Sequence, residues 1–308
     1  MKKFLIIDTF NFFHRAYYAL PASLTTPDGT QVNAVYGVAS MLLNIFDLIS
    51  PDYVVAALES KEKVERKKKF EGYKAHRKPM DEALKDQIPL LFDLLEGLGI
   101  KTISVSGYEA DDVIGTLVNK FKSDTKIVVS SNDRDLWQLI DEGVLIMAPE
   151  SGGKRAAWID ARAVKAKFGF GPDFVVDFKA LAGDSSDNIP GVYGIGKVTA
   201  GKLIGGHGHL EGIYAHLDDF KGNVRKKLFE GKDSAFLSHE LATIVTDLDL
   251  DVSLDDCALS GLDKTKAITV LEKFAFHSLV NRLNKRNGVS KGSENTESNA
   301  GYPQLGLF

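Results

Sequence analysis

Seven carboxylates stand where chemistry would use them: Asp8, Glu59, Glu109, Asp111, Asp112, Asp133 and Asp135 each lie at or just past the end of a short apolar run. An acid in that position often caps the next helix or faces its dipole, and Glu109 and Asp133, each opening a helix, suit that role. Seven on one edge would nevertheless repel one another unless cations neutralised them. The cation expected is a hard divalent ion, Mg²⁺ foremost with Mn²⁺ as a substitute, because such ions take carboxylate and water oxygens. No His or Cys lies beside these acids at zinc spacing. Asp184 and Asp187 add two more carboxylates, three residues apart, so that on a helical turn both would face one way. They precede the turn Gly191-Val-Tyr-Gly194-Ile-Gly196, which opens a helix at about Lys197. Such a turn can cradle phosphate on free backbone N–H groups, with an ordinary helix-turn-helix corner as the lesser reading.

The elements that must position these acids are strands and helices in alternation. Residues 2–8, 53–59, 101–107, 126–131 and 144–148 are short, apolar and β-branched, as buried parallel strands are. Helical periodicity fills 34–49, 86–98 and 109–122, which predicts a parallel α/β sheet with its binding crevice beyond the carboxyl ends of the strands. After about residue 175 only helical patterns remain. The expected organisation is an α/β domain over 1–175, an all-helical domain over 176–286, and a Ser/Gly/Asn-rich tail over 287–308.

Between Lys61 and Lys78 nine Lys or Arg stand against three Glu, with Phe70 and Tyr73 interleaved. Most charge runs are solvated helices, but this one is strongly one-signed and adjoins the crevice. Cations that gather phosphate beside aromatics that stack on bases are what single-strand binders use. The net charge of −4 argues against nucleic acid only until the nine acids are neutralised, which turns it into +5. The single Cys257 excludes a disulfide framework and fits a reducing compartment, so the cytoplasm is expected. Asp8 interrupts the N-terminal apolar run too early for a signal peptide, and no apolar stretch reaches membrane-spanning length.

The stretches GYEADDVIGTL (107–117), NDRDLWQL (132–139), YKAHR (73–77) and GDSSDNIPGVYGIG (183–196) closely resemble the 5′-nuclease family. That family comprises the 5′→3′ exonuclease domain of bacterial DNA polymerase I, stand-alone relatives, and phage and eukaryotic flap endonucleases. FHRAYYAL (13–20) and FLSHELATIVTDLDL (236–250) extend the likeness over roughly residues 1–285. The resemblance implies a PIN-like sheet with a helical arch, then a helix-hairpin-helix domain. It implies a monomeric enzyme that cuts DNA where a 5′ flap meets duplex. Asp8, Glu59, Glu109 and Asp111 would hold a first metal, and Asp112, Asp133, Asp135, Asp184 and Asp187 would shape a second. One ion would activate water and the other would stabilise the leaving oxygen. Lys74 and Arg77 on the arch would bind the scissile phosphate, Tyr73 would stack on a base, and Arg66 would be a second arch cation. Arg15, Gly191, Gly194, Gly196, Lys197 and Thr199 would contact DNA, and in relatives the hairpin carbonyls bind K⁺.

The chain departs from the family pattern at Glu59, where Asp is usual; one more methylene moves the carboxylate by roughly 1.5 Å. Thr9-Phe10-Asn11 are bulkier than usual after the first Asp, and Lys197-Val198-Thr199 differ from the usual Glu-Lys-Thr. Nuclease activity is expected all the same. A non-catalytic flap binder tethered to the clamp would keep arch and hairpin yet lose inner acids, and a PIN-like ribonuclease would need neither arch nor hairpin. The final Gln304-Leu305-Gly306-Leu307-Phe308 resembles the sliding-clamp peptide of bacterial replication proteins, with Leu and Phe as anchors. A spacer of about 15 residues would give it a reach of roughly 20 Å, in a chain expected to lack a polymerase domain.

Overall fold

The computed structural model describes residues 1–149, 156–259 and 263–286. Six strands, β1 (Lys2–Asp8), β2 (Tyr53–Ala57), β3 (Lys101–Ile103), β4 (Thr125–Ser130), β5 (Val144–Ala148) and β6 (Ala157–Ile159), form one sheet in the order β3-β2-β1-β4-β5-β6. The first five pair in parallel, with Ile6 opposite Val55 on one side and Val129 on the other. The expectation of a wholly parallel sheet is corrected at one edge, where β6 runs antiparallel to β5. Its three residues carry too little pattern to be seen in sequence. β2 and β3 also end earlier than their apolar runs, leaving Glu59 and residues 104–107 in connecting loops.

Helices α1 (Thr9–Ala19), α2 (Asn33–Ile49), α3 (Glu65–Lys69), α4 (Glu82–Lys85), α5 (Ile88–Gly97), α6 (Ala110–Phe121) and α7 (Ala161–Phe168) accompany the sheet. Then follow α8 (Val175–Ala182), α9 (Lys197–His207), α10 (Leu210–Ala215), α11 (Gly222–Glu230), α12 (Lys232–Ala242), α13 (Lys264–Lys273) and α14 (His277–Arg286). Central strands are apolar on both faces because both are covered: Leu5 and Ile7 pack toward α2 and α5, Phe4 and Ile6 toward α6.

The helical half gathers its own core from Leu181, Val192, Ile195, Leu203, Ile213 and Leu228. The range 176–286 is not one packing unit, however. Past Ala242 the chain returns to the sheet: Ile244, Leu250, Val252 and Cys257 join the α6 face, while Leu271, Phe274 and Leu279 of the last two helices join the α2–α5 face. Helical periodicity reports which residues are apolar but not which core they enter. Among the described residues no helix is long and apolar enough to cross a membrane.

Candidate active site

The strand order reverses between β1 and β4, and the crevice opens beyond their carboxyl ends, as it does in doubly wound sheets. Asp8 ends β1 and caps α1, accepting from the Asn11 N–H at 3.3 Å and from the Ser131 hydroxyl at 2.6 Å. Glu109 and Asp112 form a reciprocal capping box at the start of α6, which leaves Asp111 between them directed at the crevice. Asp8, Glu59, Glu109, Asp111 and Asp133 line a cleft of about 420 Å³ together with Phe10, Asn11, His14, Lys74 and Arg77. Thr9 lies behind this mouth, buried, its hydroxyl without a partner among the described residues.

The electrostatics of the cleft are those of carboxylates short of counter-charge. Burial, then repulsion from Asp133, raise Asp8 to about 6, with the Ser131 hydrogen bond working the other way. Glu59 touches solvent at the mouth, yet protein crowds it on most sides; that loss of water, followed by repulsion from Glu109, raises it to about 7. Asp111 is pushed well above the usual carboxylate range by burial, then by Asp133 and Asp8. Bound cations would relieve this strain, so the donor set fits hard divalent ions. Among the described residues no three acidic, His or Cys side chains close around one point. Ions held here would keep much of their water, as Mg²⁺ characteristically does.

Above the cleft, the segment expected to form an arch is the five-residue α3 followed by consecutive turns. Lys74, in a left-handed backbone conformation (φ 54°), is bonded to Glu109 and lies 3.6 Å from Asp187. Burial works against its ammonium, but these two acids outweigh it and raise its pKa. Arg77 is half exposed and donates to Asp187 at 2.8 Å.

Several expected roles are corrected by what the side chains touch. Asp112 is fully buried and faces away from the cleft, accepting two 2.7 Å bonds from Arg66 and one from the Val245 N–H at 2.9 Å. Arg66 is therefore a junction piece. Its guanidinium also donates to Glu109 at 3.0 Å and to the carbonyls of Leu241 and Thr243, at 2.9 and 2.6 Å, so it tethers α3 to both α6 and the end of α12. Tyr73, only 3% exposed, packs near Ile189 and Leu241 and donates its hydroxyl to Glu109 at 2.8 Å, so its ring has no open face for a base. Asp184 and Asp187 do not share a face. A backbone bridge between Asp184 and Ile189 replaces the helical turn, sending Asp187 toward Arg77 and Asp184 toward Lys179.

In the glycine turn, Gly191 (φ 64°) is buried, and a Cβ there would lie 2.2 Å from the Gly183 nitrogen. Its N–H donates to Ser238 and its carbonyl accepts from Ser234, so this glycine closes a backbone contact and presents nothing to DNA. Gly194, Gly196 and Lys197 are exposed and Thr199 is half-buried. The Gly194 carbonyl already accepts from Lys227 at 2.9 Å. Arg15 donates to the Pro149 carbonyl at 3.0 Å. Gln304, Leu305, Leu307 and Phe308 lie outside the described residues.

Sequence reading missed Ser131, His14 and, above all, Lys179. That lysine is 9% exposed on α8 and bonds both Asp135 and Asp184. A charge inside the apolar run DFVVDFKALAG was the available signal.

Fold and site together define a nuclease of the resolvase-like α/β class. The chain belongs to the 5′-3′ exonuclease family. Residues 3–169 match the family's N-terminal resolvase-like domain, and residues 170–265 match its C-terminal SAM-fold domain. The chain is 42% identical to DNA polymerase I of Caldicellulosiruptor bescii over 91% of its own length and 33% of that protein's. It thus spans about a third of the polymerase relatives it matches. It is 34% identical to a 5′-3′ exonuclease of Aquifex aeolicus, covering 92% of this chain and 96% of that one. Among solved structures, a T5 5′-exonuclease with bound divalent metal superposes with a TM-score of 0.65 at 18% identity, covering 92% of this chain and 98% of that one. The catalytic core of Rad2 in complex with DNA gives 0.59 at 14% identity, covering 92% of each chain. These last two likenesses speak to the fold.

Proposed function

We propose that the chain hydrolyses DNA phosphodiesters at or near a 5′ end, acting on branched DNA that carries a 5′ single-stranded flap, with two or more divalent ions. The observation that carries this reading is the cleft at the strand reversal. There Asp8, Glu59, Glu109, Asp111 and Asp133 converge beneath Lys74 and Arg77. Asp8, Glu59, Asp111 and Asp133 would hold the ions on the sheet side, with Glu109 and Asp187 released to them as Lys74 and Arg77 turn to phosphate, and Asp135 and Asp184 would serve the second ion. Bound ions would supply an activated water and stabilise charge on the departing oxygen. Lys74 and Arg77 draw the scissile phosphate down onto the acids, exchanging carboxylate partners for phosphate oxygens. Ser131 holds the Asp8 carboxylate in orientation while this happens.

The test is cleavage of a 5′-labelled flap duplex in Mg²⁺ and in EDTA, beside an Asp8→Asn variant. Mg²⁺-dependent products ending near the junction, absent from the variant, support the reading. Tight flap binding without cleavage in Mg²⁺ or Mn²⁺ would overturn it and leave a flap-binding protein.

The same reading assigns the enzyme to the cytoplasm as a monomer serving replication and repair. It assigns Gln304, Leu305, Leu307 and Phe308 to the bacterial sliding clamp, with the polar Gln orienting a peptide anchored by Leu and Phe. Leu307→Ala with Phe308→Ala is expected to abolish association with immobilised clamp while leaving cleavage of free DNA unchanged; loss of both activities would contradict this assignment.

A further inference from the structure

Two acids placed at the second ion by family resemblance, Asp135 and Asp184, already share a cation. Asp135 opens the 3₁₀ turn Asp135–Leu139, and Asp184 lies just past the end of α8. The Lys179 ammonium sits between them, bonded to Asp135 Oδ1 and donating to Asp184 Oδ2 at 2.6 Å. The other Asp184 oxygen accepts from the backbone and hydroxyl of Ser186, at 2.9 and 2.5 Å, which fixes that carboxylate's orientation. The ammonium is enclosed by protein, with 11% of its side chain exposed and 17% of each acid's.

An ammonium and a divalent ion both need carboxylate oxygens at close range, and like charges a few ångströms apart exclude each other where water is scarce. We infer that Lys179 and a divalent cation are alternative occupants of the Asp135–Asp184 pair, so that Lys179 sets how tightly this chain holds its second ion. The inference rests on the proposed nuclease reading and adds a residue to it. Lys179 has an independent structural consequence as well: without metal it is the counter-charge that lets two half-buried acids coexist near Asp133. Lys74 is as enclosed as Lys179, with 13% of its side chain exposed, but it lines the cleft beside the half-exposed Arg77, and Lys179 does not.

The test reads ion binding without DNA and without turnover. Mn²⁺ is titrated into the full chain and free ion is followed by electron paramagnetic resonance, for the wild type, Lys179→Met and Lys179→Arg. The methionine variant keeps the stem and removes the charge, and its weakest resolved site is expected to tighten about tenfold, a modest share of the repulsion removed. The arginine variant is expected to keep wild-type binding or weaken it. An unchanged or weaker second site in Lys179→Met would overturn the inference. Should that variant fail to fold, reductive methylation of the wild type answers the same question. Lys179 is expected to be protected without Mn²⁺ and labelled at saturation, and protection that persists while two ions are bound would overturn the inference. A second site that tightens in Lys179→Met while the wild type does not cleave flap DNA would sink the nuclease reading and leave the competition between Lys179 and the ion standing. No Mn²⁺ binding by any of the three proteins would overturn both.

Discussion

Asp111 and Asp112 are neighbours on the first turn of α6, yet they belong to two regions with opposite electrostatics. Asp111 opens into the cleft among Asp8, Glu109 and Asp133, and burial with their repulsion drives its pKa up. Asp112 turns into the junction behind α3, where Arg66 pairs with it bidentately and the Val245 N–H caps it. One region holds carboxylates short of counter-charge, which an added cation would satisfy. The other gives its buried acid a guanidinium and backbone N–H partners. A step of about 100° around a helix separates a site held ready for a ligand from one that holds the fold.

The sharpest break of this comparison exchanges the two carboxylates for amides. Asp111→Asn is expected to lower flap cleavage about 10³-fold, the scale of losing one preorganised charge at the reacting centre, while the denaturant midpoint in EDTA stays the same or rises. Asp112→Asn should instead cost about 3 kcal/mol of stability, because it breaks the bidentate half of a buried ion pair and leaves Arg66 with Glu109 and two carbonyls, and where the variant is folded it should still cleave. Urea melts and single-turnover cleavage of both variants decide it. An unstable Asp111→Asn together with a stable but inactive Asp112→Asn would reverse the assignment.

A second test uses pH. Asp8 near 6 and Glu59 and Asp135 near 7 lie above their unfolded values, so they favour the folded state below about pH 4. That contribution is lost as pH rises through 6 to 7. Differential scanning calorimetry in EDTA should therefore give a melting temperature that falls between pH 5 and 8, with saturating Mg²⁺ removing much of the slope. A slope that is the same with and without Mg²⁺ would mean that these acids do not meet the ion. Asp184 runs the other way: burial opposes its charge, but Lys179 holds it down to about 2, so its contribution is present above about pH 4 and lost only in stronger acid.

The smallest expected effect separates fold from grip in the glycine turn. Gly191→Ala should cost about 1–3 kcal/mol through its positive φ and the approach of Gly183, seen in urea melts. Duplex affinity, measured by fluorescence anisotropy on the folded fraction, should change little. A stable variant that had lost duplex binding would return Gly191 to the DNA-contacting role that the resemblance implies.

Much of this molecule was legible in the sequence because two local rules suffice for it. Continuous apolar runs mark strands buried on both faces, and acids at their carboxyl ends mark the crevice edge, which places Asp8, Glu109, Asp111 and Asp133 without coordinates. Capping residues gave the start of α6, and the lysine-rich run gave the chain above the cleft. β6 escaped because three residues against an antiparallel edge carry no period, and the return of residues 243–286 to the sheet escaped because periodicity does not name a partner.

The sequence by itself determined the element order, the acid-lined edge and the family. The tertiary structure decided which acids are alike. Asp112 is withdrawn by Arg66, Asp187 is parted from Asp184 by a backbone bridge, and Tyr73 is turned inward onto Glu109. Lys179 stands where family resemblance alone would set an ion. The reason is physical: a carboxylate's position along the chain fixes where its backbone stands, but its charge state and its use depend on partners that arrive from as far as 133 residues away.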